Sequence, residues 1–574
     1  MRFQHDVVVV GSGLAGLRAA LEVGGSGDVA IISKVFPTRS HSAAAQGGIT
    51  AALGNEEEDR WEWHMFDTVK GSDYLGDQDA IEILAQDAPR AIYELEHMGV
   101  PFNRNEKGKI AQRAFGGHTR DYGKGPVKRA CYAADRTGRV TLDTLYEQCL
   151  SRNVKFYSEF HVLSLAIQDG HCRGLVAYEL ATGEIHTFGA KAVLLATGGN
   201  GQIFRTTSNG FANTGDGIAI AYQAGIPLED MEFVQFHPTG IHGLGILISE
   251  AARGEGGILR NGNGEAFMER YAPTVKDLAP RDMVSRAIMT EIREGRGING
   301  EPYVHLDLTH LGEARIRERL WEIASFARIY VGVDPVKVPI PVEPTCHYLM
   351  GGIPTDTVGR VLADGKGTPL HGLYAAGECA CVSVHGATRL GTKSLLDLVV
   401  FGRRAGRDIA EQIRSSSHEP FPKGLDKQLR ERVNGLRRSR GKERLYPLRQ
   451  QMDETMTEWC SVFRDEKGLR RALDEIRMLR ERYGAVGLSN RGNRFNYELM
   501  EALELGHMLI QAEVILVSAV AREESRGAHF REDFPKRDDK RWLKHSLAFL
   551  APEGPNITDK PVTITLFQPK ARTY

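Results

Sequence analysis

The sequence predicts an α/β chain in four parts: a Rossmann-like domain that is discontinuous in sequence, an inserted α+β capping domain, a helical domain and a small C-terminal tail domain. Three observations carry this. The chain opens on an apolar strand at residues 6–10, which runs into Gly11-Ser-Gly13-Leu-Ala-Gly16 and then a helical stretch. Apolar strand patterning returns far downstream in Gly372-Leu-Tyr-Ala-Ala-Gly377-Glu378, after an interval of different character. Beyond residue 411 the pattern turns helical, with dense i, i+4 charge pairs as in EKGLRRALDEIRMLRERYG.

In order along the chain, the first domain is expected to hold residues 1–238 and 345–410, with strands at 6–10, 28–33 and 192–196. Within it, residues 99–138 are polar and Gly-rich and read as loops that cover something. Residues 239–344 are rich in Gly and Arg, carry the run PVKVPIPVEP and read as a lid. Residues 411–528 read as helices. Residues 529–574 form a polar tail ending in short strand-like stretches, of which PVTIT is the clearest.

A chain of 574 residues implies several domains, roughly three or four at ~150 residues each. Apolar content of 41% and charged content of 26% fit a globular protein. A net charge of −1 gives no reason to expect a nucleic-acid or polyanion partner. The seven cysteines are scattered without a CxxC pair, which suggests reduced thiols in a cytosolic compartment. With no run of ~18 apolar residues, the chain is not expected to span a membrane itself. The N-terminus enters a strand at once and leaves no room for a signal peptide. Any membrane association is therefore expected through partners.

The opening glycine turn is what a pyrophosphate needs: Gly11 for the tight turn, Gly13 for close backbone approach, Leu14 and Ala15 at a helix N-terminus, and Gly16 for packing. Two further turns strengthen the reading. Val193-Leu-Leu-Ala196-Thr197-Gly198-Gly199 is a buried strand ending in small residues, and Gly377-Glu378 ends another with a carboxylate suited to hydroxyl groups. The second strand ends in Ser33-Lys34, where an NAD site usually carries a carboxylate, so a simple NAD dehydrogenase is disfavoured. Asp216 opens a helix, as a cap or beside a cofactor. His41 lies in PTRSHSAAAQGG just after the fingerprint, with Ser40, Gln46, Gly47 and Gly48 around it.

These motifs resemble the flavoprotein subunit of the succinate dehydrogenase/fumarate reductase family, the respiratory complex II family, from the first strand to the C-terminal tyrosine. The resemblance implies an FAD-binding domain with FAD bound covalently through His41, a linkage that raises its reduction potential. Ser33-Lys34, Asp216, Tyr348, Ser394 and Leu395 match cofactor positions. A monovalent cation held by the backbone of Leu349, Met350, Glu378 and Ala380 is a further implication.

A dicarboxylate substrate needs two separated anion clamps rich in donors. Gln235-Phe-His237-Pro-Thr-Gly240, Ser249-Glu250, Thr345-Cys-His347 and His385-Gly-Ala-Thr388-Arg389-Leu-Gly supply such groups. By resemblance His237, Ser249, His347 and Arg389 bind the two carboxylates, Phe115 packs on the substrate, and Arg281 is the proton acceptor and donor. Arginine is an unusual base because its pKa exceeds ~12, so a relay is needed, with Glu250 and Asp282 as candidates. The implied reaction is succinate oxidation to fumarate by hydride transfer to the flavin, or its reverse. The motif departs from the family pattern at Thr388 and at Lys393, each standing where Asn is usual. Lys393 either acts on the flavin or points to solvent.

L-aspartate oxidase shares FAD, the lid and the arginine but lacks the flavin-linking histidine. A disulfide reductase is disfavoured because no redox CxxxxC follows the fingerprint. A non-catalytic scaffold would not need the acid/base and clamp residues. The run Arg437-Arg438-Ser-Arg440 reads as a solvated helix face. The resemblance further implies an iron–sulfur subunit and membrane anchor subunits with quinone, and a peripheral position on the cytoplasmic side of a bacterial inner membrane.

Overall fold

The computed structural model describes residues 1–572, so the last two residues of the expected tail lie outside the described part. A parallel sheet forms its centre. Val7–Val10 pairs with Val29–Ser33 on one side and Ala192–Leu195 on the other, and Pro369–Ala375 then pairs with Ala192–Leu195. Lys155–Ser158 extends the sheet beyond Val29–Ser33. Val7, Val8, Val9, Ile31 and Ile32 are all buried, as strands covered on both faces require. An antiparallel meander, Phe160–Gln168, His171–Glu179 and Ile185–Gly189, continues the sheet past Pro369–Ala375. A strand from late in the chain thus sits beside strands from the first 200 residues, and the cofactor domain is discontinuous.

The interval expected to be loops, residues 99–138, instead holds a hairpin. Gln112–Arg120 pairs with Gly125–Cys131, and Ile49–Thr50 adds a third strand. The Gly116-Gly117 pair and a register shift interrupt the alternation that would have marked the first strand.

A four-stranded antiparallel sheet follows: Val234–Ile241, Ile340–Leu349, Val304–Asp307 and Ile258–Arg260. Its first two strands run across both expected edges of the lid. Helices Arg281–Arg293 and Trp321–Val331 pack on it around a separate core that includes Ile248, Leu259, Ile288, Leu306 and Ile323.

Helices Leu445–Trp459, Glu466–Tyr483 and Tyr497–Ala521 pack together around Leu448, Met452, Leu469, Ile476 and Leu509. Tyr497–Ala521 has the length and mean hydropathy to cross a membrane, although Glu504, His507, Gln511 and Glu513 leave no continuous apolar run, and 78% of its apolar window is buried. It is a core helix whose Glu504, His507 and Gln511 reach the cofactor domain.

The tail strands are Lys544–Phe549 and Asn556–Pro561, which pair with each other and with Leu228–Glu229. The PVTIT run is not the strand its β-branched residues suggest. After Pro561 its amides go to side chains: Thr563 donates to Asp77 at 2.7 Å, and Thr565 donates to Gln78 at 3.2 Å. All seven cysteines are buried and free of disulfides.

Candidate active site

One large cavity runs from the first glycine turn to the lid, enclosing about 1660 Å³ of space including its mouth. Its lining reaches from Gly11 and Gly13 to His237 and His347, which suits a dinucleotide and a substrate placed end to end. Of the residues expected at the cofactor, Gly11, Gly13, Leu14, Ala15, Ser33, Lys34, Ser40, His41, Gln46, Gly47, Gly48, Ala196, Thr197, Gly198, Asp216, Tyr348, Gly377, Glu378, Arg389, Ser394 and Leu395 line it. Gly16 does not line it; a side chain there would strike the Gly11 carbonyl, so this glycine serves helix–strand packing.

The cradle fits a pyrophosphate. Gly11 has φ +114° and its missing Cβ makes room for the Ala196 carbonyl. The helix Leu14–Val23 begins at Gly13 with no side-chain cap, and only the Leu14 amide finds a hydroxyl, Ser42, at 3.3 Å. A second uncapped helix start, at Lys393–Ser415, offers Ser394 and Leu395 to the cavity.

Lys34 Nζ donates to Thr214 at 2.7 Å and to Asp216 and Glu504 at 2.6 Å each. Burial opposes its charge, but the two carboxylates outweigh burial and raise its pKa. Asp216 makes no cap with its own side chain; it joins Lys34 to His507, whose Nδ1 lies 2.9 Å from it. His41 Nδ1 accepts from the Gly210 amide at 3.3 Å. Desolvation pushes its pKa down to about 4, so the ring is neutral, with its proton on Nε2 while Nδ1 accepts. Glu378 Oε1 accepts from Leu349 N at 3.1 Å, and burial raises this carboxyl to about 7. That bond sets Leu349 and Met350 beside the segment carrying Glu378 and Ala380; of these four, only Glu378 lines the cavity.

The expected substrate groups gather at the lid end. His237 and His347 come from two paired strands whose register shifts bring the rings to 5.1 Å between centroids. His237 Nδ1 accepts from Thr239 N at 3.2 Å, and its Nε2 is buried with no protein partner. His347 Nδ1 lies 2.7 Å from Ser208 Oγ. Burial, then nearby Arg281, holds both imidazoles neutral, well below their ordinary pKa. Arg389 stacks over Tyr348 at 4.4 Å, and its Nε is buried without a partner. Burial, then Arg281, pushes its pKa down to about 9. Ser249 and Phe115 line the same space.

Arg281 opens the helix Arg281–Arg293 and is 8% exposed. Its Nε donates to Glu250 at 3.0 Å and its Nη1 to Gln235 at 3.1 Å. Glu250 also accepts from the Gly116 amide at 3.0 Å, an approach that only a residue without Cβ permits. Asp282, expected as a second relay, turns elsewhere: its carboxylate accepts from Arg286 at 3.0 Å and from Arg572 at 2.7 Å. The helix start sends consecutive side chains in different directions, so only Arg281 reaches the cavity.

Several participants were not singled out from sequence. Gln235 joins Arg281 to the Thr388 hydroxyl at 3.0 Å and the Arg389 carbonyl at 2.7 Å. Thr388 therefore keeps a polar contact at one departure from the family pattern. Ser208 orients His347, and Phe160, His161 and Val162 wall the cavity from the meander. Gln235, two positions before His237 in the same strand, was the one with a usable signal. Lys393 neither lines the cavity nor meets solvent: it is fully buried, with Nζ on Thr68 Oγ1.

Comparison with known proteins agrees with this geometry. Residues 6–395 match the FAD binding domain family, and residues 449–574 match the fumarate reductase flavoprotein C-terminal family. The chain is 52% identical to the succinate dehydrogenase flavoprotein subunit of Rickettsia bellii, over 98% of this chain and 96% of that one. It is 43% identical to the fumarate reductase flavoprotein subunit of Mycobacterium tuberculosis, over 100% of both. A solved FrdA variant of the E. coli quinol fumarate reductase superposes with a TM-score of 0.94 at 40% identity, covering 100% of this chain and 99% of that one.

Proposed function

The chain belongs to the family of succinate dehydrogenase and fumarate reductase flavoprotein subunits, and from that premise we propose that it interconverts succinate and fumarate in the cavity between its cofactor domain and lid. FAD, when bound there, supplies the two-electron acceptor. We assign its covalent anchor to His41, whose neutral ring keeps Nδ1 on Gly210 and leaves Nε2 for the bond.

The observation that carries the proposal is the lid end of the cavity. His237 Nε2 and Arg389 Nε are buried donors with no acceptor among the described residues, beside the Arg281–Glu250 pair. Buried donors left unpaired are costly, and a dicarboxylate would satisfy them. His237, Ser249, His347 and Arg389 hold the two carboxylates, and Phe115 packs against the carbon chain. Glu250 and Gln235 fix Nε and Nη1 of Arg281, so that Nη2 takes a proton from the substrate carbon as Nε gives one to Glu250, and the reverse sequence returns it. Glu250, bonded to Arg281 and 3.8 Å from Arg253, carries that proton onward. Positioning contributes much of the rate, because two reacting centres must align together.

Residues 239–344 act as the lid, 411–528 as the helical domain and 529–574 as the tail that ties them. The backbone of Leu349, Met350, Glu378 and Ala380 cradles a monovalent cation. Two electrons on an enclosed cofactor need an exit, and no group of cysteines close enough to hold a cluster occurs among the described residues. An iron–sulfur subunit receives the electrons and passes them to membrane anchor subunits and quinone. The protein sits peripherally on the cytoplasmic side of the inner membrane through these partners. Succinate-dependent dye reduction by the purified enzyme, and fumarate-dependent oxidation of a reduced dye, test the reading. Activity with L-aspartate and none with succinate would replace it.

A further inference from the structure

Lys393 begins a helix between Thr392 and Ser394, both of which line the cavity, yet its own side chain points behind the wall. There it is 0% exposed. Its Nζ meets Thr68 Oγ1. That hydroxyl donates to the His64 carbonyl at 2.7 Å, so it can only accept from Lys393. A buried ammonium has three donors to satisfy, and here one acceptor faces it.

The surrounding charges do not complete an ion pair. Asp67, from the helix that carries Thr68 and His64, is the one carboxylate that acts strongly on Lys393. It is already bonded to Arg129 at 2.7 Å and to the Thr119 amide at 2.7 Å. Arg129, from the hairpin's second strand, is in turn bonded to Asp59 at 2.8 Å and adds positive potential. His64 Nδ1 and Nε2 and His118 Nδ1 are buried with no hydrogen-bond partner among the described residues. His118 Nε2 lies 3.4 Å from Thr392 Oγ1, at the cavity wall. Burial above all, with Arg129 adding and Asp67 opposing, holds Lys393 well below the usual ammonium range. His118 thus reaches the cavity wall, both rings feel the Lys393 charge, and the buried amine has no counter-ion of its own among the described residues.

We propose that Lys393 is a charge-compensating residue behind the cofactor cavity, which takes up a proton at Nζ when two electrons enter the cavity and releases it when they leave. The electrons come from succinate, as in the reaction above. The proton comes from solvent and returns to it, with His118 and His64 as exchange partners. Only an N–H bond forms and breaks. The physical cause is Coulombic: new negative charge in the cavity that Thr392 and Ser394 line, within a low-dielectric interior, favours the charged amine.

The inference rests on FAD filling the cavity, and the test separates the two. Flavin retention by the holoenzyme is measured first, after acid denaturation. The flavin midpoint potential is then titrated optically across the neutral and alkaline pH range in wild type, K393M, K393N and T68V. Wild type is expected to take up about one proton more per reduced cofactor than K393M or K393N. T68V keeps the amine but removes its acceptor, so its extra uptake should move to lower pH. Equal pH slopes in flavinylated wild type and K393M would overturn the proposal while leaving the functional reading intact. If K393M does not fold, a T68V profile superimposable on wild type would overturn it instead. A wild-type enzyme without flavin would overturn both readings.

Discussion

At the lid end of the cavity, Arg281, Arg389, His237 and His347 crowd together with Glu250 as the carboxylate bonded among them. Where the tail docks, His545 lies among Asp230 at 2.7 Å, Asp77 at 3.2 Å and Glu229 at 3.5 Å, and Lys560 meets Glu229 at 2.9 Å. Both places bury charge, with opposite consequences for protonation. Burial and neighbouring cations push Arg389 down to about 9. Burial works against His545 as well, but Asp230, Asp77 and Glu229 overcome it and push it up to about 10. Cations short of anions await a ligand; cations matched by anions tie segments together.

Arg281 separates the two regions most visibly. R281Q should cut succinate-dependent turnover by about 10²–10⁴-fold, the usual worth of a positioned acid/base, while flavin stays bound. Near-normal turnover would remove the proton-transfer role.

At the tail the expected effect is on stability. H545Q leaves the buried Asp230 and Glu229 and the half-buried Asp77 short of a cation, and breaking such a network costs about 3–5 kcal/mol, readable by denaturant unfolding of the assembled enzyme, with the succinate KM unchanged. His545 has a raised pKa in the fold, so its contribution is complete below pH 6.5 and fades as pH rises through about 10. Wild-type stability should therefore fall over that alkaline window more than H545Q stability does. A parallel pH profile in the two proteins would contradict the assignment.

Arg389 sharpens the cavity side. R389K keeps a charge but loses the planar fork over Tyr348. A charged hydrogen bond is worth about 1.5–3 kcal/mol, so KM for succinate should rise roughly ten- to hundredfold, checked by steady-state kinetics.

Asp282 gives the smallest effect on turnover. Its carboxylate is held by Arg286 and Arg572 outside the cavity, so D282N should lower the melting temperature while kcat stays within about twofold, far from the loss expected of a relay residue. A drop in kcat matching that of R281Q would restore Asp282 to the relay.

Sequence made the cofactor cradle readable because it is local. Gly11, Gly13 and Gly16 sit on one turn, and His41 follows within a short reach. The clamp was readable only as separate motifs, since His237 and His347 meet through pairing of strands about a hundred residues apart. What stayed hidden depends on contacts distant in sequence or on side-chain direction. Lys34 finds Glu504 in another domain. Gln235 bridges Arg281 and Thr388 across three segments. Asp282 and Lys393 are each adjacent to site residues, yet helix geometry turns both away. The hairpin at 112–131 was obscured by its glycines, and PVTIT by amides that bond to Asp77 and Gln78 rather than to a neighbouring strand.

The central claim is that FAD is bonded to His41 at the mouth of a dicarboxylate site. Its most direct test is to co-express the protein with its partner subunits, denature it in acid, run it on a gel under ultraviolet light, and map the adduct by peptide mass. Fluorescence with the flavin on the His41 peptide is the predicted result. A flavin released by acid, or one attached to a different peptide, would contradict it.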